Sequence, residues 1–247
     1  MPDLKTTLPT VVYMILDEST SMSCAKTSTI NGYNEHIDML KKSNNPDIYA
    51  SLIKFSEVIS NAIPLTEINN VPTLTDQSYS PNGCTALYDA IGTVLTDHET
   101  NSKIVEIKSK YSDMKNIMII LTDGDDNSSR KFSATQIKEL IADFEKTGNW
   151  TFVYLGAEQD SWKATDTLGI NAANVTNISY ATMDGAMEYT ARRVGAFANS
   201  SLRSSSNFMS NVGAQSVRGV NVEDLLLQTD DFEAEAKLKA EEEKNKK

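Results

Sequence analysis

The chain has 247 residues, 40% of them apolar, and a formal charge of -11. That length and apolar share suit one large α/β domain with a substantial core, alone or with an appendage. The acidic balance, with no basic cluster outside the carboxyl tail, excludes nucleic acid as a direct partner and makes a cation an expected one.

No apolar run is long enough to cross a bilayer, and Met1-Pro2-Asp3-Leu4-Lys5 lacks the basic-then-apolar layout of a secretory signal. A soluble, cytoplasmic protein with no membrane partner is expected. Cys24 and Cys84 are too few for a disulfide scaffold and fit a reducing compartment.

Val11-Val12-Tyr13-Met14-Ile15-Leu16 is an unbroken apolar run rich in β-branched residues, which predicts a strand buried on both faces. It runs into Asp17-Glu18-Ser19-Thr20-Ser21, so one carboxylate and two hydroxyls leave the strand on a single loop. Such oxygens suit a hard divalent cation, Mg²⁺ above all. Ser and Asp also cap helices and build turns, so the pattern alone reads first as a capped strand-to-helix turn.

Ile30, Tyr33, Ile37 and Leu40 recur at helical spacing and predict a helix over 27–42, with His36 at its surface or half-buried. Residues 48–55 read as a strand and 58–65 as its hairpin partner, where Asn61 and Pro64 suit a sheet edge. A polar loop over 69–83 leads to Thr85, which starts a helix carrying Leu87, Ala90, Ile91, Val94 and Leu95 on one face. His98 beyond it reads as solvated.

Residues 116–122 form the strand with the least polar interior, followed at once by Asp123-Gly124-Asp125-Asp126-Asn127. Carboxylates packed that closely at a sheet edge repel one another unless a cation or solvent screens them. Ser133-Ala134-Thr135-Gln136 has the form of a capping box before a helix. A strand over 150–155, a loop Gly156–Asp160, a short helix with Trp162 and Leu168, a strand over 174–178 and a helix over 183–197 complete the series. Strands alternating with helices predict a doubly wound, mostly parallel sheet with one antiparallel edge strand and helices on both faces.

Asp17-x-Ser19-x-Ser21, the Thr85 of Gly83-Cys84-Thr85-Ala86-Leu87-Tyr88-Asp89-Ala90 and the Asp123 of Leu121-Thr122-Asp123-Gly124 together resemble the three-part metal-ion-dependent adhesion site of the von Willebrand factor type A domains. The resemblance covers residues 9–200, after a lead-in over 1–8. Its front end, Leu8-Pro9-Thr10-Val11-Val12-Tyr13, is similar to small cytoplasmic bacterial or phage members. It implies a Rossmann-like fold. It also implies that Asp17, Ser19, Ser21, Thr85 and Asp123 hold Mg²⁺, with Mn²⁺ or Ca²⁺ as alternatives. The hydroxyls would bind directly and the carboxylates directly or through water, leaving a position for a Glu or Asp of a partner protein. Asp125 and Asp126 would add negative potential. Thr20 stands where the family usually has glycine, and threonine disfavours left-handed backbone angles.

The implied function is a divalent-metal-dependent protein-binding module without turnover. The alternative is a Mg²⁺-dependent phosphatase or phosphotransferase with Asp17 as nucleophile, a chemistry that wants a second acid where this chain has Ser19. A Walker-type loop and a Gly-x-Gly-x-x-Gly turn are both missing. Cys24 and Cys84 flank the site. They read either as buried reduced thiols or, should their Cβ atoms come within about 4.5 Å, as a pair that oxidation could join. Residues 201–247, Ser-rich and then rich in Glu, Lys and Ala, read as a flexible tail that adds little core, with a brief apolar patch at Leu225-Leu226-Leu227.

Overall fold

The computed structural model describes residues 8–43, 45–157, 162–209, 232, 234–242 and 244. Six strands form one sheet in the order β3-β2-β1-β4-β5-β6. They are β1 (Thr10–Asp17), β2 (Ile48–Phe55), β3 (Ile59–Glu67), β4 (Lys115–Thr122), β5 (Trp150–Ala157) and β6 (Val175–Ile178). β3 pairs antiparallel with β2 at one edge and the remaining pairs are parallel. The expected doubly wound sheet with one antiparallel edge strand is what the chain forms.

Side-chain alternation along β1 splits the interior in two. Val12, Met14 and Leu16 face a core shared with α1 (Lys26–Lys42) and α6 (Met183–Asn199). Val11, Tyr13 and Ile15 face another, shared with α2 (Leu87–Asp97), α3 (Ser102–Lys110), α4 (Ala134–Lys146) and α5 (Trp162–Leu168). Every residue of β1 and β4 is buried. A sheet covered on both faces has no use for polar alternation, which is why these two strands stand out in the sequence.

The chain leaves β1 toward β2 and β3, then crosses back to lay β4 against the other side of β1. The strand order therefore reverses between β1 and β4, and loops diverge there at the carboxyl ends, opening a crevice. Leu16 lies in register with Leu121, so Asp17 and Thr122 emerge side by side.

Several expectations need correction. Both histidines are buried. His36 Nδ1 lies 3.0 Å from the Met187 carbonyl oxygen of α6, because α1 packs against that helix as well as the sheet. His98 Nδ1 shares a 2.8 Å hydrogen bond with the Tyr13 hydroxyl, and its ring centroid is 4.9 Å from that of Trp150. The nine-residue α3 has only a thin apolar stripe, Ile104 and Ile107, and was not foreseen.

Beyond Ser200 the chain contributes more core than its composition suggests. Leu202, Phe208, Met209 and Phe232 are buried against α6 and its neighbours, and single aromatics in polar sequence give no periodicity to read. The Leu225-Leu226-Leu227 patch, like Glu158, Gln159 and Asp160 of the loop after β5, lies outside the described residues.

Candidate metal centre

Asp17, at the end of β1, is fully buried and both of its carboxylate oxygens are engaged. The Ser19 backbone N–H donates to Oδ1 at 2.7 Å, and the Thr122 hydroxyl, at the end of β4, donates to Oδ2 at 2.6 Å. One side chain thus ties the two central strand ends together. Burial raises the carboxyl above its usual range; the bonds from Thr122 and Ser19 pull it back, and the charge of nearby Asp123 pushes it further up. A cation beside this pair of acids would relieve both the burial and the repulsion.

Ser19 Oγ lies 3.0 Å from Ser21 Oγ, and Ser21 donates to Asp123 Oδ1 at 2.6 Å. The other oxygen, Asp123 Oδ2, accepts from the Tyr180 hydroxyl at 2.7 Å. Thr20 opens a 3-10 turn over Thr20–Ala25. The right-handed angles of such a turn suit a β-branched residue, so threonine in the place of the family's glycine strains nothing there.

The Thr85 loop is fastened to both of the others. The Thr20 N–H donates to the Gly83 carbonyl at 3.0 Å, while the N–H groups of Asn127 and Ser128 donate to the Thr85 carbonyl at 2.9 and 3.2 Å. Asn127 Oδ1 accepts from the Thr85 N–H at 2.8 Å. Gly83, at φ +84°, takes the left-handed angle that lets this loop turn. A Cβ placed on Gly124 would stand 3.9 Å from Thr85 Oγ1, so the Asp123-Gly124 turn lies directly over that hydroxyl.

The structure therefore brings Asp17, Ser19, Ser21, Thr85 and Asp123 to one place. Thr85 is buried, but it does not cap the helix: Ala86 takes the cap position and makes no side-chain cap. Asp126 serves the first turn instead, accepting from the Tyr88 N–H at 3.1 Å and from the Ser129 hydroxyl. Its charge is used in hydrogen bonds to the helix start, a role the sequence did not indicate. Asp89 binds the same loop from the helix side, accepting from the backbone N–H groups of Arg130, Lys131 and Phe132 at 2.8–2.9 Å.

Thr122 and Tyr180 are the residues at the site that sequence reasoning missed. Thr122 adjoins Asp123 and reads as the last strand residue; Tyr180 comes from the connection after β6 and carries no local signal. Cys24 and Cys84 are free thiols, exposed rather than buried. A hydrogen bond with Glu57 holds the Cys84 thiol above its usual range, which disfavours the reactive thiolate.

Two carboxylates with three hydroxyls form a hard-oxygen donor set of low charge. Among the described residues there is no cluster of three or more His, Cys, Asp or Glu side chains suited to a metal.

The pattern of the von Willebrand factor type A domain matches residues 12–191. The chain belongs to this family. Among solved structures, the domain is similar to proximal thread matrix protein 1 from the mussel byssus, at 16% identity and TM-score 0.55, over 78% of this chain and 48% of that one. It is similar to the pilus adhesin SpaC from Lactobacillus rhamnosus GG, at 13% identity and TM-score 0.58, over 78% and 31%. The vWF domain of the type V pili tip protein Mfa5 from Porphyromonas gingivalis matches at 12% identity and TM-score 0.54, over 77% of this chain and 96% of that domain. At such identities the likeness is one of fold. This chain spans about half the length of the byssus protein. No curated protein matches it in sequence. No helix among the described residues of this type A domain is long and apolar enough to cross a membrane.

Proposed function

We propose that this type A domain is a protein-binding module in which a divalent ion, Mg²⁺ by the hardness of its donors, is held by Ser19, Ser21, Thr85, Asp17 and Asp123. The observation that carries this reading is the continuous chain of contacts from Asp17 to Ser19, Ser21 and Asp123, with the Thr85 hydroxyl beside the Asp123-Gly124 turn. The donors are oxygen atoms alone, from two strand-end loops and from the loop that leads into α2. When bound, such an ion offers a Lewis-acidic position that an Asp or Glu of a partner protein can fill.

The residues have separable tasks. Asp17 fixes the Ser19 N–H and the Thr122 hydroxyl, setting the loop before any ion arrives. Ser21 and Tyr180 aim the two oxygens of Asp123. Asn127 clamps the backbone on either side of Thr85. Type A domains act in general as interaction modules rather than enzymes. The alternative, Asp17 attacking phosphorus, has less support because the position two residues on, where that chemistry wants a second acid, holds Ser19.

The test is capture of partners from lysate by immobilised protein in Mg²⁺ and in EDTA, beside calorimetric titration of Mg²⁺ into wild type and Thr85→Val. The reading requires EDTA-sensitive capture and a Mg²⁺ heat that the variant lacks. EDTA-resistant capture together with identical heats in both proteins would overturn it.

A further inference from the structure

At four points in the chain a glycine directly follows an Asn or Asp: Asn31-Gly32, Asn82-Gly83, Asp123-Gly124 and Asp184-Gly185. With no Cβ to crowd it, a glycine nitrogen can reach the side-chain carbonyl carbon of the residue before it and close a five-membered imide. The fold blocks this at three of the four points. Asn31-Gly32 lies inside α1 and Asp184-Gly185 in the first turn of α6, where the helical ψ holds that carbon away from the next nitrogen. Asp123 presents a carboxylate whose two oxygens accept from Ser21 and Tyr180, and the Gly124 N–H donates to the Thr122 hydroxyl at 3.2 Å.

Asn82-Gly83 is left open. The segment is neither helix nor strand, and Asn82 is exposed. Among the described residues nothing bonds to the Asn82 side-chain amide or to the Gly83 N–H. The backbone on either side is tied to the loop after β1: the Asn82 N–H donates to the Glu18 carbonyl at 2.8 Å, and the Gly83 carbonyl accepts from the Thr20 N–H at 3.0 Å. Both ties run through groups that the ring closure does not use.

We infer that position 82 is a site of spontaneous deamidation whose product unfastens the Gly83 loop from Thr20. The Gly83 nitrogen bonds to Asn82 Cγ, the Cγ–Nδ2 bond breaks, and the nitrogen's proton leaves with the amine as ammonia. Water then opens the imide, at Cγ to give aspartate or at the main-chain carbonyl to give isoaspartate. One water is consumed and one ammonia released, with no oxidant or cofactor. In isoaspartate the main chain runs through Cβ and Cγ of residue 82, which adds one methylene between the Glu18 and Thr20 ties. The chain before the insertion is unchanged, so the tie beyond it, from Thr20 to Gly83, is the one lost. Thr85 follows two residues later, and the change therefore reaches the metal centre. The inference does not rest on the metal-site reading, and its readouts contain no metal, so the two fail separately.

The full chain is aged in metal-free, mildly alkaline buffer, digested beside a fresh sample and mapped by mass spectrometry with electron-transfer fragmentation, which distinguishes isoaspartate from aspartate. Asn82 is expected to convert at least tenfold faster than Asn31 of the same chain, with isoaspartate the larger product. Hydrogen exchange at the Thr20 amide is expected to speed up at least tenfold in the aged protein. It should not do so in freshly purified Asn82→Asp, which adds the charge without lengthening the backbone. Aged Asn82→Gln, whose longer side chain cyclises far more slowly, is expected to keep its Thr20 protection. Conversion of Asn82 no faster than that of Asn31 would overturn the inference. So would unchanged Thr20 exchange in a sample carrying isoaspartate at position 82.

Discussion

The Tyr180 hydroxyl donates to Asp123 Oδ2 across 57 residues of sequence. Tyr180 begins a 3-10 turn, Tyr180–Thr182, that leads directly into α6. The acid at the crevice is therefore attached to a helix on the far side of the sheet. Its other oxygen takes the Ser21 hydroxyl, so the carboxylate is aimed from both ends. Partners that orient a ligand in this way typically contribute 10–100-fold in metal affinity. Tyr180→Phe is expected to weaken Mg²⁺ binding about tenfold by calorimetry. Because the residue is only half-buried and the ring is retained, the unfolding midpoint should barely move. An unchanged Mg²⁺ affinity would show that Ser21 alone positions Asp123.

Asp17 allows the ion-binding role to be separated from the structural one. Asp17→Ala strands two buried donors, the Ser19 N–H and the Thr122 hydroxyl. Each stranded group costs about 1–3 kcal/mol, so this variant should lose several kcal/mol of stability along with the ion. Asp17→Asn keeps an acceptor for Ser19 and a side chain that the rotatable Thr122 hydroxyl can meet. It should lose Mg²⁺ binding with a much smaller shift in urea midpoint. Equal destabilisation by the two substitutions would mean that the negative charge, not the hydrogen-bond count, holds the strand ends together.

Acid should weaken the fold through its two histidines. Burial lowers both His36 and His98 from the usual 6.5 to about 4. Between those values the unfolded chain binds protons that the folded one refuses. The stability from keeping the rings neutral is full above about pH 6.5 and is lost as pH falls toward 4, on the order of 3 kcal/mol per ring. Asp17 and Glu145, both raised by burial, work in the opposite direction, so the denaturation midpoint alone mixes the two effects. Ring proton shifts separate them, because the chain has two histidines. Neither ring should titrate above about pH 5. A signal moving near 6.5 would contradict the burial of that side chain.

Gly92 tests how closely α2 and the loop after β4 must approach. Replacing glycine by alanine within a helix ordinarily gains about 1 kcal/mol. Here the new Cβ would run into the ring of Phe132, a residue whose backbone N–H is held by Asp89. Overpacking of this kind costs about 1–3 kcal/mol, so Gly92→Ala should be neutral to destabilising where propensity alone predicts a gain. A variant clearly more stable in urea would show that Phe132 swings out freely and that the loop is not pinned there.

What the sequence reveals depends on where a residue's partners lie. Val11–Leu16 and Ile117–Leu121 are legible because a strand buried on both faces must be apolar throughout. The site loops are legible because each begins where such a run stops. His36 bonds across 151 residues to Met187, and Tyr13 across 85 to His98; nothing in either neighbourhood distinguishes these rings from solvated ones. Lys115 is the extreme case, a buried ammonium donating to the carbonyls of Phe197, Ala198 and Ser200 at the end of α6. By composition it is a surface residue. Its position is set by a helix terminus that only the folded chain supplies.

That end of α6 is also where the last described residues dock. Phe197, Phe208 and Phe232 form a three-ring cluster with centroids 5.4–5.7 Å apart. The Arg193 guanidinium carbon lies 4.0 Å from the Phe232 ring centroid, and Arg193 Nε donates to the Phe208 carbonyl at 2.7 Å. Glu235 accepts from the Ser205 hydroxyl at 2.7 Å, and Lys239 donates to the Ser204 carbonyl at 2.8 Å. Losing a buried phenylalanine costs about 3–5 kcal/mol when the whole domain must unfold to expose it. A docked segment can instead detach alone, which caps the cost at its own docking energy. Phe232→Ala is therefore expected to lower the global midpoint by less than that full amount while making residues 234–242 exchange their amide protons rapidly. The check is hydrogen exchange on both proteins at the same pH. Equal protection of 234–242 in the variant would show that Glu235 and Lys239, rather than the Phe232 ring and its cation, hold this segment to α6.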